Sequence, residues 1–422
     1  MSTDSATAWA RSGLVALTGR PGGPPLVPPG RAASVAGEIG ARLAELSRGA
    51  VRVDGAGLLA ERAAYTGHTR RGDLSVGGHC RLLRTRDGWA AVSCARSDDP
   101  ALLGALIGAS IAADPWPAVS GWLAEHSGAE LAERAELLGV AAAPVGPGRA
   151  GPVCIAATAP PPPAAALSSS LADRPVRGLL VVDFSALWAG PLCAHLLGLA
   201  GARVVKVETP GRPDGARRGA AAFYELLHGG HRSVVLDPET RGGRRAMAAL
   251  VAAADIVVES SRPRALAGFG LDAEAAVAAG ASWVSITARG RGSNRVGFGD
   301  DVAAGSGLVA HGRDGVPLFC GDALADPLTG LTAAALAMTA PPGGGGVLWD
   351  LAMSDVVTAT LDPGAPRTPS PGARWDGGRW LVDTGAGPVP VAPPRPRCPA
   401  GPAAASGAHT AEVLRELGIP SP

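Results

Sequence analysis

Features that mark several common classes of protein are missing from this 422-residue sequence. Acidic and basic side chains nearly cancel, with 38 Lys and Arg against 37 Asp and Glu, so no overall field would attract nucleic acid or an anionic membrane. The six cysteines form no CxxC pair, which argues against a zinc site and a small disulfide scaffold. The most apolar run, residues 101–113, is too short to span a bilayer. We therefore expect a cytoplasmic protein that binds neither nucleic acid nor membrane.

Motifs for redox cofactors, nucleotides and catalytic metals are missing as well. Residues 185–193, which follow the first strand-like run, do not fit GxGxxG, and residues 290–295 lack the third glycine. The sequence has no P-loop, no GxSxG and no HExxH, and its eight histidines show no ligand spacing. We expect no tightly bound cofactor and no metal.

What the sequence does contain is an alternation of short β-branched runs with Ala- and Leu-rich helical patterns. Continuous apolar strands separated by helices indicate a parallel sheet covered on both faces. We predict an α/β fold with a doubly wound, Rossmann-like parallel-sheet domain, whose ligands would lie beyond the carboxyl ends of the strands. The predicted strands are 179–184, 203–208, 255–260 and 282–287, and the predicted helices between them are 190–200, 241–253 and 272–279.

A second, smaller α+β domain is predicted in the N-terminal part. A helical pattern at about 34–47 is followed by a hairpin pattern that turns at Asp87 and Gly88. Pro- and Ser-rich residues farther on have the composition of a linker. These patterns divide the chain into an N-terminal segment at 1–48, the small α+β domain at 49–145, the linker at 146–178, the α/β domain at 179–360, and a Pro-rich tail with a C-terminal helix at 361–422.

An ordered series of motifs runs from residue 176 to residue 357. It includes VVDFSALWAGPLC, KVETPGRPD, IVVESSRPRALAGFG, GFGDDVAAGSGL and ADPLTGLTAAALAM. In this order the motifs resemble the family III CoA-transferases, the group of carnitine and bile-acid CoA-transferases, formyl-CoA transferase and α-methylacyl-CoA racemase. The resemblance implies an enzyme that moves CoA from an acyl-CoA thioester, its substrate, to a carboxylic acid.

The resemblance also implies which residues act. The family nucleophile is an aspartate in a D-x-x-x-G context, which Asp326 and Gly330 match and the nearby Asp322 does not. Such a carboxylate can attack a thioester carbonyl and go on to an aspartyl-CoA intermediate. Asp326 also precedes a proline and a helical pattern, so a helix N-cap is a second role open to it. The glycine loop that closes over the acyl group corresponds to Gly77 and Gly78, and the implied CoA contacts are Trp188, Ala189, Gly190, His231, Arg232, Ser260 and Arg262.

Two alternatives stay open within this resemblance. An acyl-CoA racemase or epimerase shares the fold, but the racemases have a His in a GHD context where this chain has Gly299-Asp300-Asp301, so one acid/base group is missing. A non-catalytic CoA-binding homologue is the other alternative, because several positions of the implied CoA pocket, Ser260 among them, depart from the family pattern.

The stretch SGLVA occurs twice, at residues 12–16 and 306–310. An ungapped alignment of the residues before the two helices places Ser34 opposite Asp326, so the first copy is degenerate and only the second is expected to be catalytic. The small domain precedes the α/β domain, which indicates a rearranged or circularly permuted member. Because family members are interlocked dimers, the resemblance implies a homodimer in which the N-terminal module serves its own chain or the partner.

Overall fold

The N-terminal segment consists of two helices joined by a long loop. The protein is described from a computed structural model over residues 5–111, 114–146, 162–168, 171–261, 263–340, 344–362 and 369–422. Helix α1 covers Ser5–Arg11 and helix α2 covers Ala32–Leu46, close to the predicted bounds of 34–47. Helix α2 buries Val35, Ile39 and Leu43, which recur every four residues and so form one apolar stripe.

The next segment is a small antiparallel sheet packed against helices. Strands β1 and β2 pair in antiparallel register with Thr85 opposite Gly88, so the hairpin turns one residue earlier than predicted. Strand β3 adds to β2, also antiparallel. Val92, Leu103, Leu123 and Leu131 lie in a core of this segment's own. The elements are α3 (Gly55–Leu58), α4 (Glu61–Thr66), β1 (Cys80–Thr85), β2 (Gly88–Ser93), α5 (Asp99–Ile107), α6 (Trp116–Glu125), α7 (Gly128–Leu138) and β3 (Ala142–Pro144).

A six-stranded parallel sheet forms the centre of the molecule. The first part of this region has the elements α8 (Pro162–Ala166), β4 (Ala172–Asp173), β5 (Leu180–Asp183), α9 (Ala189–Leu199), β6 (Arg203–Glu208), α10 (Ala221–His228), β7 (Arg232–Val235), α11 (Arg241–Ala252) and β8 (Ile256–Glu259). The second part has α12 (Pro263–Gly268), α13 (Ala273–Ala278), β9 (Ser282–Thr287), α14 (Gly299–Gly305), β10 (Val309–His311), β11 (Pro317–Phe319), α15 (Ala325–Ala337), β12 (Thr339–Ala340), β13 (Val347–Ala352) and α16 (Met353–Thr358).

The strand order of this sheet is β7-β6-β5-β8-β9-β13, and every neighbouring pair is parallel. Its strands are buried on both faces, with Val181 in one core and Val182 in the other. The predicted parallel α/β sheet is therefore confirmed. From β5 the chain adds β6 and β7 on one side and then β8, β9 and β13 on the other, so the strand order switches between β5 and β8. Sheets of this kind bind ligands in the crevice at the carboxyl ends of the strands at such a switch point.

The Pro-rich tail contains more structure than its composition suggested. It forms an antiparallel sheet of β14 (Arg374–Asp376), β15 (Arg379–Thr384) and β16 (Gly387–Pro390), followed by helix α17 (Thr410–Glu416). The Ala392 amide donates to the carbonyl of Ala10, 2.8 Å away, so the tail lies against α1. Much of the predicted linker lies outside the described residues, and the division into domains stays a prediction. Within the described ranges, no helix has the length and apolar character needed to cross a membrane.

Candidate active site

Asp326 lies in the first turn of α15, the most deeply buried long helix. Of the thirteen residues of α15, Asp326 alone keeps partial exposure, while the other twelve are buried. The helix begins at Ala325 with Leu324 in the N-cap position, so Asp326 is inside the helix and does not cap it. A carboxylate that is the one accessible group of a buried helix is positioned to meet a ligand.

Close helix packing explains why a glycine, Gly330, follows Asp326 after one helical turn. Helix α15 packs against the start of α9. A Cβ atom at residue 330 would lie 2.6 Å from the Ala189 carbonyl oxygen and 3.0 Å from the Leu192 side chain. Only glycine lets the two helices approach this closely, and this approach brings Asp326 to the carboxyl edge of the sheet.

Asp326 belongs to a cluster of acidic groups around a single arginine. The Arg62 Nε donates to Asp322 at 2.8 Å, and Asp322 is 1% exposed. The Asp300 carboxylate accepts from the Ala323 amide at 2.8 Å. Burial raises the pKa of Asp326 to about 7, against the field of Arg62. Burial and then the Asp322 charge raise the pKa of Asp300 to about 6.

Asp301 completes this acidic cluster from the start of α14. Its carboxylate accepts from the Phe298 amide at 2.9 Å and from the Ser93 hydroxyl at 3.0 Å. Burial raises the pKa of Asp301 to about 7. Because several neighbouring carboxyl groups have raised pKa values, the site gains or loses protons near neutral pH.

The structure brings the glycine loop to this cluster. A Cβ at Gly77 would lie 3.3 Å from the Arg62 guanidinium and 3.9 Å from the Asp322 carboxylate. Gly78 has a φ of 81°, a conformation that favours glycine. Within this chain, the N-terminal module thus lies beside the Arg62–Asp322 pair.

Four of the implied CoA contacts lie at the crevice between β5 and β8. Trp188, Ala189 and Gly190 form the start of α9, and the first two are 1% and 4% exposed. Gly190 packs so closely on Ser185 that any larger residue would overlap it. The Ser260 hydroxyl accepts from the Ala186 amide at 3.1 Å, which joins the two loops across the crevice.

The only lysine of the chain holds the same loops in place. Lys206 is 2% exposed, and its Nζ lies 3.0 Å from Asp214 and also contacts the carbonyl of Ser185. Asp214 in turn accepts from the Leu187 amide at 3.0 Å. These bonds fix the turn that leads into Trp188, which has its ring face 5.0 Å from the Arg62 guanidinium carbon.

His231 and Arg232 do not join this group, which corrects their expected place near Ala189 and Gly190. They stand at the start of β7, and the start of a parallel strand lies at the edge opposite its carboxyl end. His231 is 7% exposed, and burial followed by the Lys206 charge lowers its pKa to about 3. Arg232 pairs with Glu416 of α17. The remaining implied contact, Arg262, lies outside the described residues.

Apart from Asp326, the members of the cluster were not selected by the sequence reasoning. Asp300 was visible in the GDD stretch, but only as a departure from the racemase pattern. Arg62 carries no motif, and in a chain rich in arginine its identity alone gives no signal. Its partner Asp322 is 260 residues away, so only the fold shows the pair.

Comparison with known proteins finds a family match for the segment that contains Asp326. Residues 176–376, which include β5, α9 and Asp326, match the family model described as CoA-transferase family III. This segment is thus similar to CoA-transferase family III. The matched segment ends with β14 and does not include the N-terminal module that supplies Arg62 and Gly77.

The curated relatives of the family III segment are named CoA-transferases. A succinyl-CoA–D-citramalate CoA-transferase of Chloroflexus aurantiacus is 29% identical over 218 residues, which is 47% of this chain and 54% of the relative. A succinate–glutarate CoA-transferase of Agrobacterium fabrum is 30% identical over 211 residues, 44% of this chain and 53% of the relative. The chain thus spans about half the length of these relatives.

Solved structures with a partial match are a CAIB/BAIF family protein from Brucella suis and a hypothetical protein from Mycobacterium tuberculosis. The first is 27% identical, with a TM-score of 0.43, over 51% of this chain and 65% of the other. The second is 29% identical, with a TM-score of 0.41, over 44% of this chain and 57% of the other.

Replacing Gly330 by alanine should both destabilise the protein and impair the site. The added methyl would meet the Ala189 backbone, which cannot move aside, so we expect a loss of about 1–3 kcal/mol in the free energy of unfolding. Gly121→Ala is the matched control, because Gly121 lies in helix α6 with open space around its Cβ position. Urea unfolding of both variants would test this, and equal stability would contradict the packing role of Gly330.

Proposed function

We propose that the protein is a CoA-transferase that moves CoA from an acyl-CoA thioester to a carboxylic acid, with Asp326 as the nucleophile. The observation that carries this proposal is the accessibility of Asp326 alone on a helix that is otherwise buried. The family III match of residues 176–376 and the names of the relatives support the class of reaction. The sheet is then a Rossmann-like CoA-binding domain.

The reaction proceeds in two symmetric halves without net proton transfer. The Asp326 carboxylate attacks the thioester carbonyl, the C–S bond breaks, and CoA thiolate leaves an acyl-aspartyl anhydride. The thiolate then attacks the aspartyl carbonyl, which releases the donor acid as a carboxylate and forms aspartyl-CoA. The acceptor carboxylate attacks aspartyl-CoA to give a second anhydride, and the thiolate attacks its acyl carbonyl, which yields the new acyl-CoA and regenerates Asp326.

The environment of Asp326 suits this chemistry. A carboxylate with a pKa of about 7 is a stronger base and nucleophile than an ordinary aspartate, yet it is largely ionised at slightly alkaline pH. Arg62 offsets part of the repulsion within the cluster. The backbone N–H of Gly77 would stabilise the oxyanion of each tetrahedral intermediate, while that of Gly78 donates to the Ser75 carbonyl at 2.8 Å and holds the loop in shape.

CoA is assigned to the crevice between the loops that follow β5 and β8. Since Trp188, Ala189 and Gly190 are buried, their contacts would be made by the free amides of the first turn of α9, which attract phosphate or carbonyl oxygen. Ser260 would line the opposite side. His231 and Arg232 are left out of this assignment.

Racemisation is the weaker candidate. It requires an acid/base group on each side of the substrate α-carbon. Asp300 occupies the sequence position of the racemase histidine, but its carboxylate is bound to the Ala323 amide on the same side as Asp322 and Arg62. A non-catalytic CoA-binding homologue is also less favoured, because it would have no need for a carboxyl group with a raised pKa at Asp326.

One chain contributes every part of the proposed site. Arg62 and Gly77 come from the N-terminal module and Asp326 from the family III segment, so we propose action in cis. A homodimer and a cytoplasmic location stay predictions. Dilution of the enzyme should not lower its specific activity, which can be measured over a hundredfold range of concentration.

The proposal is tested by intact-protein mass spectrometry after incubation with a panel of acyl-CoA thioesters and hydroxylamine. An aspartyl hydroxamate should form in the wild type and not in Asp326→Ala. Asp322→Ala serves as the control for the neighbouring acid. Labelling of Asp326→Ala at the wild-type level would refute the assignment, and CoA binding without any adduct would favour the non-catalytic homologue.

A further inference from the structure

A second cleft lies at the N-terminal end of α2, on the first of the two segments that begin with SGLVA. Its volume is about 570 Å³, which is within the range of small-molecule pockets. None of its lining residues belongs to the cluster around Asp326. The cleft is therefore a distinct site on the degenerate copy.

Ser34 lines this cleft at the position that aligns with Asp326. It lies in the first turn of α2, as Asp326 lies in the first turn of α15. Its Oγ is buried and has no hydrogen-bond partner among the described residues. A helical serine commonly bonds to the carbonyl four residues earlier, and an unpaired buried hydroxyl is unfavourable. Rotation about χ1 would turn the hydroxyl toward the cleft and a ligand.

Gly37 forms the open floor of the cleft one turn farther along α2. Glycine in a helix interior lowers helix stability, so it usually has a packing reason. Gly40 has one, because its Cβ would lie 3.1 Å from the Gly55 amide nitrogen. Gly37 has none, since no atom lies within 4 Å of its Cβ position. The space that a side chain at residue 37 would fill is the cleft itself.

The charges of the cleft leave one positive group uncompensated. Glu38 is paired with Arg31 at 3.0 Å. Asp54 is paired with Arg395 at 3.3 Å and also accepts from the amide at the start of α3. Arg11 lines the cleft and makes no ion pair among the described residues. One unpaired guanidinium above a floor of small apolar residues suits a monoanion with an aliphatic chain.

We propose that this cleft binds a short-chain aliphatic carboxylate, with Arg11 holding the carboxylate and Ser34 donating a hydrogen bond to it. The site would bind without reacting, because serine supplies no carboxylate nucleophile and no base contacts its hydroxyl. The inference depends on the internal repeat and the cleft, and not on CoA transfer at Asp326. Helix α2 packs against α15.

The test is isothermal titration calorimetry with butyrate at constant ionic strength, compared with 1-butanol and inorganic phosphate. Gly37→Leu fills the cleft and should weaken butyrate binding at this site at least tenfold, and Arg11→Gln should weaken it several-fold. Gly121→Leu is the matched control, since it makes the same change in a helix with equal free space elsewhere. The Asp326 hydroxamate assay is run on every variant.

The expected result is one butyrate site lost in Gly37→Leu and kept in Gly121→Leu, while hydroxamate formation continues in both. Equal butyrate affinity in wild type and Gly37→Leu would overturn the proposal. If 1-butanol bound as tightly as butyrate, the carboxylate would not be required. If phosphate did, the aliphatic chain would not be required, and either result would overturn the proposal. If butyrate binding behaved as expected but no hydroxamate formed at Asp326, the proposed CoA transfer would be contradicted and the proposed carboxylate site would not.

Discussion

Asp326→Asn is expected to lower the rate of CoA transfer by about 10³-fold or more, because the amide cannot form the acyl-aspartyl anhydride. The same change should stabilise the folded protein at pH 8. Burial raises the pKa of Asp326 to about 7, so the folded state binds its proton more tightly than the unfolded state does. Loss of function with gain of stability is the signature of a strained catalytic group.

The direction of the pH effect follows from this raised pKa. Below about pH 4, Asp326 is protonated in both folded and unfolded states, so its stability contribution is complete. As the pH rises toward and through 7, this contribution is lost, because the unfolded state deprotonates first. The stabilisation by Asp326→Asn should therefore be near zero at pH 4 and on the order of 2 kcal/mol at pH 8, reduced by the partial exposure of the side chain.

The measurements are steady-state CoA transfer and urea unfolding at pH 4 and pH 8. Asp314→Asn is the control, because Asp314 is 49% exposed and pairs only at the surface with Arg20. Full activity in Asp326→Asn would exclude a covalent role. A stability gain that is equal at the two pH values would show that the carboxyl group does not titrate as stated.

Arg62→Met should cause the second large effect, a loss of about 3 kcal/mol in the free energy of unfolding, since it leaves the buried Asp322 carboxylate without its ion pair. The methionine keeps most of the aliphatic packing, so the change isolates the charge. Arg62 also opposes the raised pKa of Asp326, so its removal should shift the pH–rate profile to higher pH. A purely structural arginine would not move that profile.

One variant at Arg62 separates charge from geometry, and one at Arg20 is the control for an exposed arginine. Arg62→Lys retains the positive charge but not the paired N–H donors, and it should restore the pH–rate profile better than the stability. Arg20→Met removes an exposed arginine of a surface ion pair and should cost at most about 1 kcal/mol. Urea unfolding that places Arg62→Met and Arg20→Met at the same stability would contradict the buried role of Arg62.

The sequence predicted the sheet better than the site, for a physical reason. Strands β6 and β9 have the predicted bounds, because buried parallel strands are short β-branched runs that can be recognised locally. Strand β13 was not assigned as a strand, because its residues were recognised only as part of the motif series. Its pairing with β9 became visible in the structure. Pairing between distant segments is set by the fold.

Site residues follow the same division. Asp326 and Gly330 are separated by one helical turn and could be read from one stretch. The position of His231 and Arg232 away from the crevice could have been anticipated, because they stand at the start of a strand, and residues that follow parallel strands reach the ligand edge. Arg62 could not be read at all, since its role exists only through a partner in a distant segment.

Glu61 and Arg62, adjacent on α4, have consequences for how the chain folds during synthesis. Arg62 binds Asp322, while the fully buried Glu61 binds Arg397, with Nε and Oε1 2.7 Å apart. Both arginine–carboxylate contacts have high sequence separation, so they contribute to slow, late folding steps. The N-terminal module is translated before both partners, so Arg62 stays unmatched until Asp322 has been made, and Glu61 until Arg397 of the tail has been made. Assembly of the charged cluster around Asp326 is thus coupled to translation of distant segments, and a product interrupted before residue 322 would leave Arg62 without its buried partner.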